Sequence, residues 1–216
     1  MSVIPLIVEG PNRTVVEHQS EFDSVGGISG NVLLVQGLDH NQLCDPNETN
    51  VSYDLRVGNE YRDHRNIGKN NLQEGDFIEF LPGSAVIIET EEFVHFPNSA
   101  FGYIVPKVSL LQKGISNTPS KVDPGYKGKL LITVFNLGKK NVKLKRGERF
   151  CSLHIVKVLE GARPYDKAPK SIVGAAKRKI WQKIRDILEA NNVLVMLVLI
   201  IVTLILIIVQ IIQLIQ

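Results

Sequence analysis

The stretch Ser171 to Ala190 carries Ile172, Ala176, Ile180, Ile184 and Leu188 at four-residue intervals, with Trp181 beside the stripe; Lys177, Arg178, Lys179, Lys183 and Arg185 crowd the other positions. Cationic groups set against apolar residues at helical spacing are suited to anionic lipid headgroups. A solvated helix, or one packed on its own domain, carries the same pattern, and so does a calmodulin-type target. Elsewhere the reactive side chains are dispersed. Histidines 18, 40, 64, 95 and 154 lack metal-ligand spacing, which predicts no zinc site and no resident metal. Cys44 and Cys151 read as free thiols of a reducing compartment. Gly26, Gly27 and Gly30 lack the strand-then-helix context of a phosphate loop and read as a turn. The net charge of +3 owes much to the basic stretch and does not argue for direct nucleic acid binding.

The segment after the basic stretch explains where those charges would act. From Val193 to Val209 the chain is apolar with Thr203 as the interruption, and it continues through Ile211, Ile212, Leu214 and Ile215. As a helix, 193–215 reaches about 35 Å, enough to cross a hydrocarbon core of about 30 Å. A single-pass C-terminal anchor is expected, a buried oligomerisation helix being the alternative. Lys and Arg beside the span place the N-terminal domain in the cytosol. The sequons at Asn12, Asn47 and Asn50 are then without consequence, and Met1 to Gly10 does not read as a signal peptide.

Upstream, helical periodicity gives way to short β-rich runs: 31–36, 77–81, 84–90, 102–105, 129–135, 143–144 and 150–158. Turn signals separate them, among them Leu81-Pro82-Gly83, Asp123-Pro124-Gly125 and Lys145-Arg146-Gly147. One short helical stretch is expected over 109–114. This spacing predicts a mainly β domain of sandwich or jelly-roll type. The expected organisation is a β domain over 1–166, a linker and basic helix over 167–192, and a transmembrane helix over 193–216. Asp123-Pro124-Gly125-Tyr126 is a sound turn whatever else it does. Asp54 and Arg56, alternating on one strand, suggest a buried pair.

Five motifs in order carry a resemblance. Tyr53-Asp54-Leu55-Arg56, Pro106-Lys107-Val108-Ser109-Leu110, Val122-Asp123-Pro124-Gly125-Tyr126-Lys127-Gly128, Phe135-Asn136-Leu137-Gly138 and Leu144-Lys145-Arg146-Gly147-Glu148-Arg149-Phe150 resemble the dUTPase and dCTP deaminase superfamily over about 31–166. Arg163-Pro164-Tyr165 is similar to the deaminase branch in particular. The resemblance implies a distorted jelly roll of the dUTPase-like β-clip type, a homotrimer, and nucleotide sites between subunits. Lys107, Ser109, Gln112, Lys121, Asp123 and Tyr126 fall at or beside nucleotide-binding positions, with Mg²⁺ accompanying a nucleoside triphosphate.

Residue by residue, the resemblance implies eroded deamination. The family's catalytic glutamate falls on Thr133, whose hydroxyl cannot take a proton from water near neutral pH. Its two phosphate arginines fall on Lys107 and Gln112, and a site serine on Val108; lysine keeps charge but loses the bidentate fork. The hydrolase reading keeps its general base, Asp123, and its aromatic residue, Tyr126. It loses a glutamine, at Ser152, and a glycine-rich C-terminal arm, and the loop before Asp123 is shorter than the family's. The expected function is therefore a membrane-anchored, catalytically degenerate nucleotide binder, sensor or scaffold. The alternative is an active dUTP pyrophosphatase using Asp123, or a dCTP deaminase.

Overall fold

The computed structural model describes residues 2–43, 50–65, 68–159, 163–169, 171–172 and 192–215. Two compact units emerge, Met1–Gly174 and Ala175–Gln216.

The first unit is mainly β. In chain order it contains β1 (Val15–Val16), α1 (Gln19–Ser24), β2 (Leu33–Gln36), β3 (Tyr53–Asp63), β4 (Asn70–Asn71), β5 (Phe77–Phe80) and β6 (Ala85–His95). There follow β7 (Ala100–Pro106), α2 (Val108–Leu111), β8 (Ile115–Asn117), β9 (Ser120–Val122), β10 (Lys127–Asn136), β11 (Val142–Lys145) and β12 (Arg149–Lys157). Strict alternation makes the long strands. In β10, Leu130, Ile132 and Val134 are buried, while Lys129, Leu131, Thr133 and Phe135 face outward. β6 alternates in the same way along all 11 residues.

A ten-stranded ladder runs β1-β2-β6-β3-β12-β7-β9, with β10 joining β6 to β8 and β4 edging β3; β5 and β11 form a separate two-stranded antiparallel sheet. β3 changes partners along its length. Tyr53–Arg56 lies against β12 and Val57–Asp63 against β6, with irregularities in both ladders. The crossover requires Gly58: a Cβ there would sit 2.5 Å from the Glu89 carbonyl oxygen and 2.7 Å from that of Thr90. The ladder wraps one core in which Leu55, Phe80, Ile88, Phe96, Ile104, Ile132 and Ile155 are at most 2% exposed.

The expected strands are present, but longer or shifted by a few residues. The expected helix at 109–114 is the four-residue α2. The glycine cluster forms a 3₁₀ turn, Gly27–Ser29, behind Gly26 at φ 100°. Cys44, the sequon at Asn47, Trp181 and the basic residues Lys177, Arg178, Lys179, Lys183 and Arg185 lie outside the described residues.

The second unit contains α3, Asn192–Ile215, of 24 residues. Its described side chains, at 196–197, 200–208 and 210–213, are all exposed. Thr203 donates its hydroxyl back to the Ile200 carbonyl at 2.8 Å, so the one polar interruption is satisfied within the helix. Among the described residues, no helix is long and apolar enough to cross a membrane. The expected transmembrane span therefore gains no support there.

Two aspartates tie fold stability to acid. Burial alone would raise the Asp39 pKa. Hydrogen bonds from Arg149, at 2.8 Å, and Gln42 overcome it and hold the carboxyl below its ordinary 3.8. For Asp63 burial is again opposed, here by Arg65 at 2.6 Å, with the same net lowering from 3.8. Both contributions are complete above the unfolded value and are lost as pH falls through the depressed folded value. Urea midpoints should hold from pH 7 to about 5 and then drop below about pH 4. Asp39→Asn should flatten part of that drop; an unchanged acid limb in this variant would refute the assignment.

Candidate functional site

The clearest site is built on the turn between β9 and β10. Val122, buried, anchors the end of β9. Asp123, Pro124, Gly125 and Tyr126 then reverse the chain, Tyr126 N–H donating to the Asp123 carbonyl at 3.1 Å. Gly125, at φ 75°, takes a left-handed conformation that a side chain would strain. A cavity of about 260 Å³ opens here, with Lys121, Asp123, Tyr126, Leu131 and Tyr165 among its walls. Asp123 pairs with Lys121 at 2.7 Å and keeps 37% of its side chain exposed. The carboxylate is thus available to a ligand while a cation waits beside it.

Tyr126 offers its ring rather than its hydroxyl. The OH donates to the Lys129 carbonyl at 2.7 Å. Burial, reinforced by Tyr165 and Glu89, pushes its pKa up to about 12, so the phenol stays neutral. Tyr165 stands with its ring centroid 5.5 Å from that of Tyr126, and its N–H donates to the Pro124 carbonyl at 2.7 Å. The segment after β12 therefore straps across the turn. Gly128, at φ 150°, lies under the strap: a Cβ there would come within 2.8 Å of Pro169.

Within one chain the remaining predicted residues are elsewhere. Lys107, at the start of α2, pairs with the Asp54 carboxylate, which also accepts the Ser152 hydroxyl at 2.5 Å. Ser109 is exposed on α2, whose buried anchor is Leu110. Gln112 lines a separate groove with Lys113 and Lys139. Lys107, Ser109 and Gln112 do not line the cavity that holds Lys121, Asp123 and Tyr126. The expected Asp54–Arg56 pair is also corrected. Although both lie on one face of β3, Asp54 turns to Lys107 at the start of α2 and to Ser152 of β12, and Arg56 turns to Glu92 of β6.

That last contact belongs to a network the sequence reading missed. Glu92 is fully buried. Its Oε1 accepts Arg56 Nε at 2.7 Å and the Tyr53 hydroxyl at 3.0 Å, and its Oε2 accepts Arg56 N–H at 3.0 Å. Tyr53 in turn accepts Asp39 N–H at 2.8 Å. Burial first, and the Glu92 charge second, push the Tyr53 pKa up. The same two causes, joined by Asp54, raise that of the Cys151 thiol, leaving it an inert core residue. The missed signal was phase: Glu92 shares the inward alternation of Ile88, Thr90 and Val94.

Thr133 stands outside the hairpin cavity. Arg62 and Thr133 both pair in register with Ile87, so three adjacent strands present them abreast on the outer face. They floor a cleft of about 630 Å³ whose other wall includes Pro169, Ser171 and Ile172. None of the described residues lining this cleft is a carboxylate. Leu131 lines both this cleft and the hairpin cavity. Among the described residues, no group of three or more His, Cys, Asp or Glu is placed to hold a metal ion.

Residues 33–158 match the family model described as dCTP deaminase-like. A dCTP deaminase of Thermococcus gammatolerans is 35% identical over 117 residues, covering 53% of this chain and 73% of that protein. A dCTP deaminase of Thermococcus kodakarensis is 31% identical over 111 residues, covering 51% and 70%. Among solved structures, the 2'-deoxycytidine 5'-triphosphate deaminase of Agrobacterium tumefaciens superposes with a TM-score of 0.47 at 18% identity, covering 56% of this chain and 43% of that one. With more than half of its length matched by the family model, the chain belongs to the dCTP deaminase-like family.

Proposed function

We propose that this protein binds a deoxynucleoside triphosphate without deaminating it, as a homotrimer held at a membrane by its C-terminal helix. One observation carries the reading: Thr133 faces a cleft with no carboxylate among its described lining residues. Attack of water on a cytosine ring needs a base to take the proton, and neither Thr133 nor Ser171 can do so near neutral pH. Tyr126 and Tyr165 supply a ring-walled slot suited to a sugar and base. Lys107, Ser109 and Gln112, which sit apart from that slot in one chain, would meet it across a subunit boundary and hold the phosphates. Mg²⁺ would come with the triphosphate and neutralise part of its charge.

Membrane attachment rests on α3. The apolar run 193–215 of the sequence would, as one helix, extend about 35 Å, against a hydrocarbon core of about 30 Å. The basic residues 177–185 precede it, favouring a cytosolic β domain. Removing 193–216 should release the protein from the membrane fraction while the trimer persists.

A second reading keeps hydrolysis. Asp123 lies in the hairpin cavity with Tyr126, where it could orient water toward a phosphate. Full-length protein incubated with dCTP or dUTP and Mg²⁺ separates the two. Saturable binding with neither ammonia nor pyrophosphate release supports the binder. Pyrophosphate release abolished by Asp123→Asn establishes the hydrolase, and ammonia release sinks the loss of deamination.

A further inference from the structure

A rigid basic groove lies at the far end of β10, built from residues the hairpin cavity does not use. Asn136 is fully buried; its side-chain nitrogen donates to the Phe80 and Lys140 carbonyls, both at 2.8 Å, and its Oδ1 accepts Gly138 N–H at 2.9 Å. The turn 137–140 is thus pinned from within. Leu137 N–H donates to the Gly114 carbonyl at 2.8 Å. A Cβ on Gly114 would fall 2.7 Å from Gly138 Cα, so this turn and the end of α2 touch backbone to backbone. Between them opens a groove of about 770 Å³ lined by Lys113, Lys139, Lys140 and Lys143, with Gln112 at its side.

All four lysines are exposed, and no carboxylate lines the groove. Lys143 Nζ stands 4.1 Å over the Phe77 ring. The acid in register with it, Glu79, accepts a hydrogen bond from Asn141 at 3.4 Å. With the backbone of Lys113, Lys139 and Lys140 pinned and that of Lys143 fixed in β11, the four like charges share one groove, and a multivalent anion would relieve their repulsion. Ammonium groups are point charges with three donors each, matching phosphate oxygens from any direction without a fork. The volume is in the range of small-molecule sites.

The geometry points to this groove as a second anion site, taking an oligophosphate either free or as a phosphorylated lipid headgroup. It is separate from the cavity that holds Asp123 and Tyr126, and of the residues proposed to reach the triphosphate it shares Gln112 at its side. The test is calorimetric titration of the full-length protein with sodium tripolyphosphate and, separately, with soluble inositol trisphosphate. Binding is expected to weaken at high salt and to fall about tenfold or more in Lys139→Gln/Lys140→Gln. Lys157→Gln should leave it unchanged, with melting temperatures retained throughout. Preference for tripolyphosphate identifies a free oligophosphate, and preference for inositol trisphosphate a headgroup; either supports the site. No binding of either probe, or equal loss in the Lys157 variant, overturns it. Loss confined to Lys107→Met also overturns it, because the signal then belongs to the phosphate site proposed for the nucleotide.

Discussion

Glu92→Ala lowers folding stability by about 3–5 kcal/mol, the range for breaking a buried ion pair from one side. Domains of this kind are stable by roughly 5–15 kcal/mol in total, so the variant is close to unfolding. The carboxylate holds Arg56 through both its backbone and its guanidinium, and Tyr53 through its hydroxyl. Removing it strands three donors, the buried Tyr53 hydroxyl and the Nε and backbone N–H of the part-buried Arg56, at the junction where β3 changes partners. Glu92→Gln keeps the shape and an acceptor oxygen, and falls between wild type and alanine. Arg56→Met in the Glu92→Leu background should recover part of the loss, since an apolar pair leaves no unpaired buried charge. Urea denaturation of the four proteins measures this. A Glu92→Ala midpoint within error of wild type would mean that the network contributes nothing.

Lys107 and Asp54 should act on nucleotide affinity in opposite directions. If the triphosphate binds as proposed, Lys107→Met weakens it by about 10- to 100-fold, the size of one charge-assisted contact. Asp54→Asn tightens it, by up to about fivefold. The Asp54 carboxylate currently occupies the Lys107 ammonium, and breaking a partly exposed ion pair requires less than about 1 kcal/mol. Ser152 can still bond the asparagine, which keeps the strand junction intact. Titration of both variants with a non-hydrolysable dCTP analogue gives the answer. Equal weakening by both would show that Asp54 helps position the ligand rather than competing for the lysine.

The motifs located the elements well because each encodes a local event. The alternation in 127–136 and 85–95 imposes strands wherever one face is covered, and Asp123-Pro124-Gly125 imposes a reversal. The chain was less legible where the cause was remote. β8 and β9 have three residues each and exist through pairing with β10 and β7, not through their own propensity. The partner of Arg56 was misassigned because two residues on one strand face look like a pair until an opposing strand offers a deeper carboxylate.

By itself, then, the sequence determined the β architecture and the turn bearing Asp123 and Tyr126, since residue type and period suffice for these. Tertiary structure alone decided that Lys107 is held by Asp54, that Tyr165 closes on Tyr126, and that Lys113 joins Lys139 and Lys140 along one groove. Those groups are brought together from distant segments by strand crossings and burial, so their charges interact only once the ladder has wrapped its core.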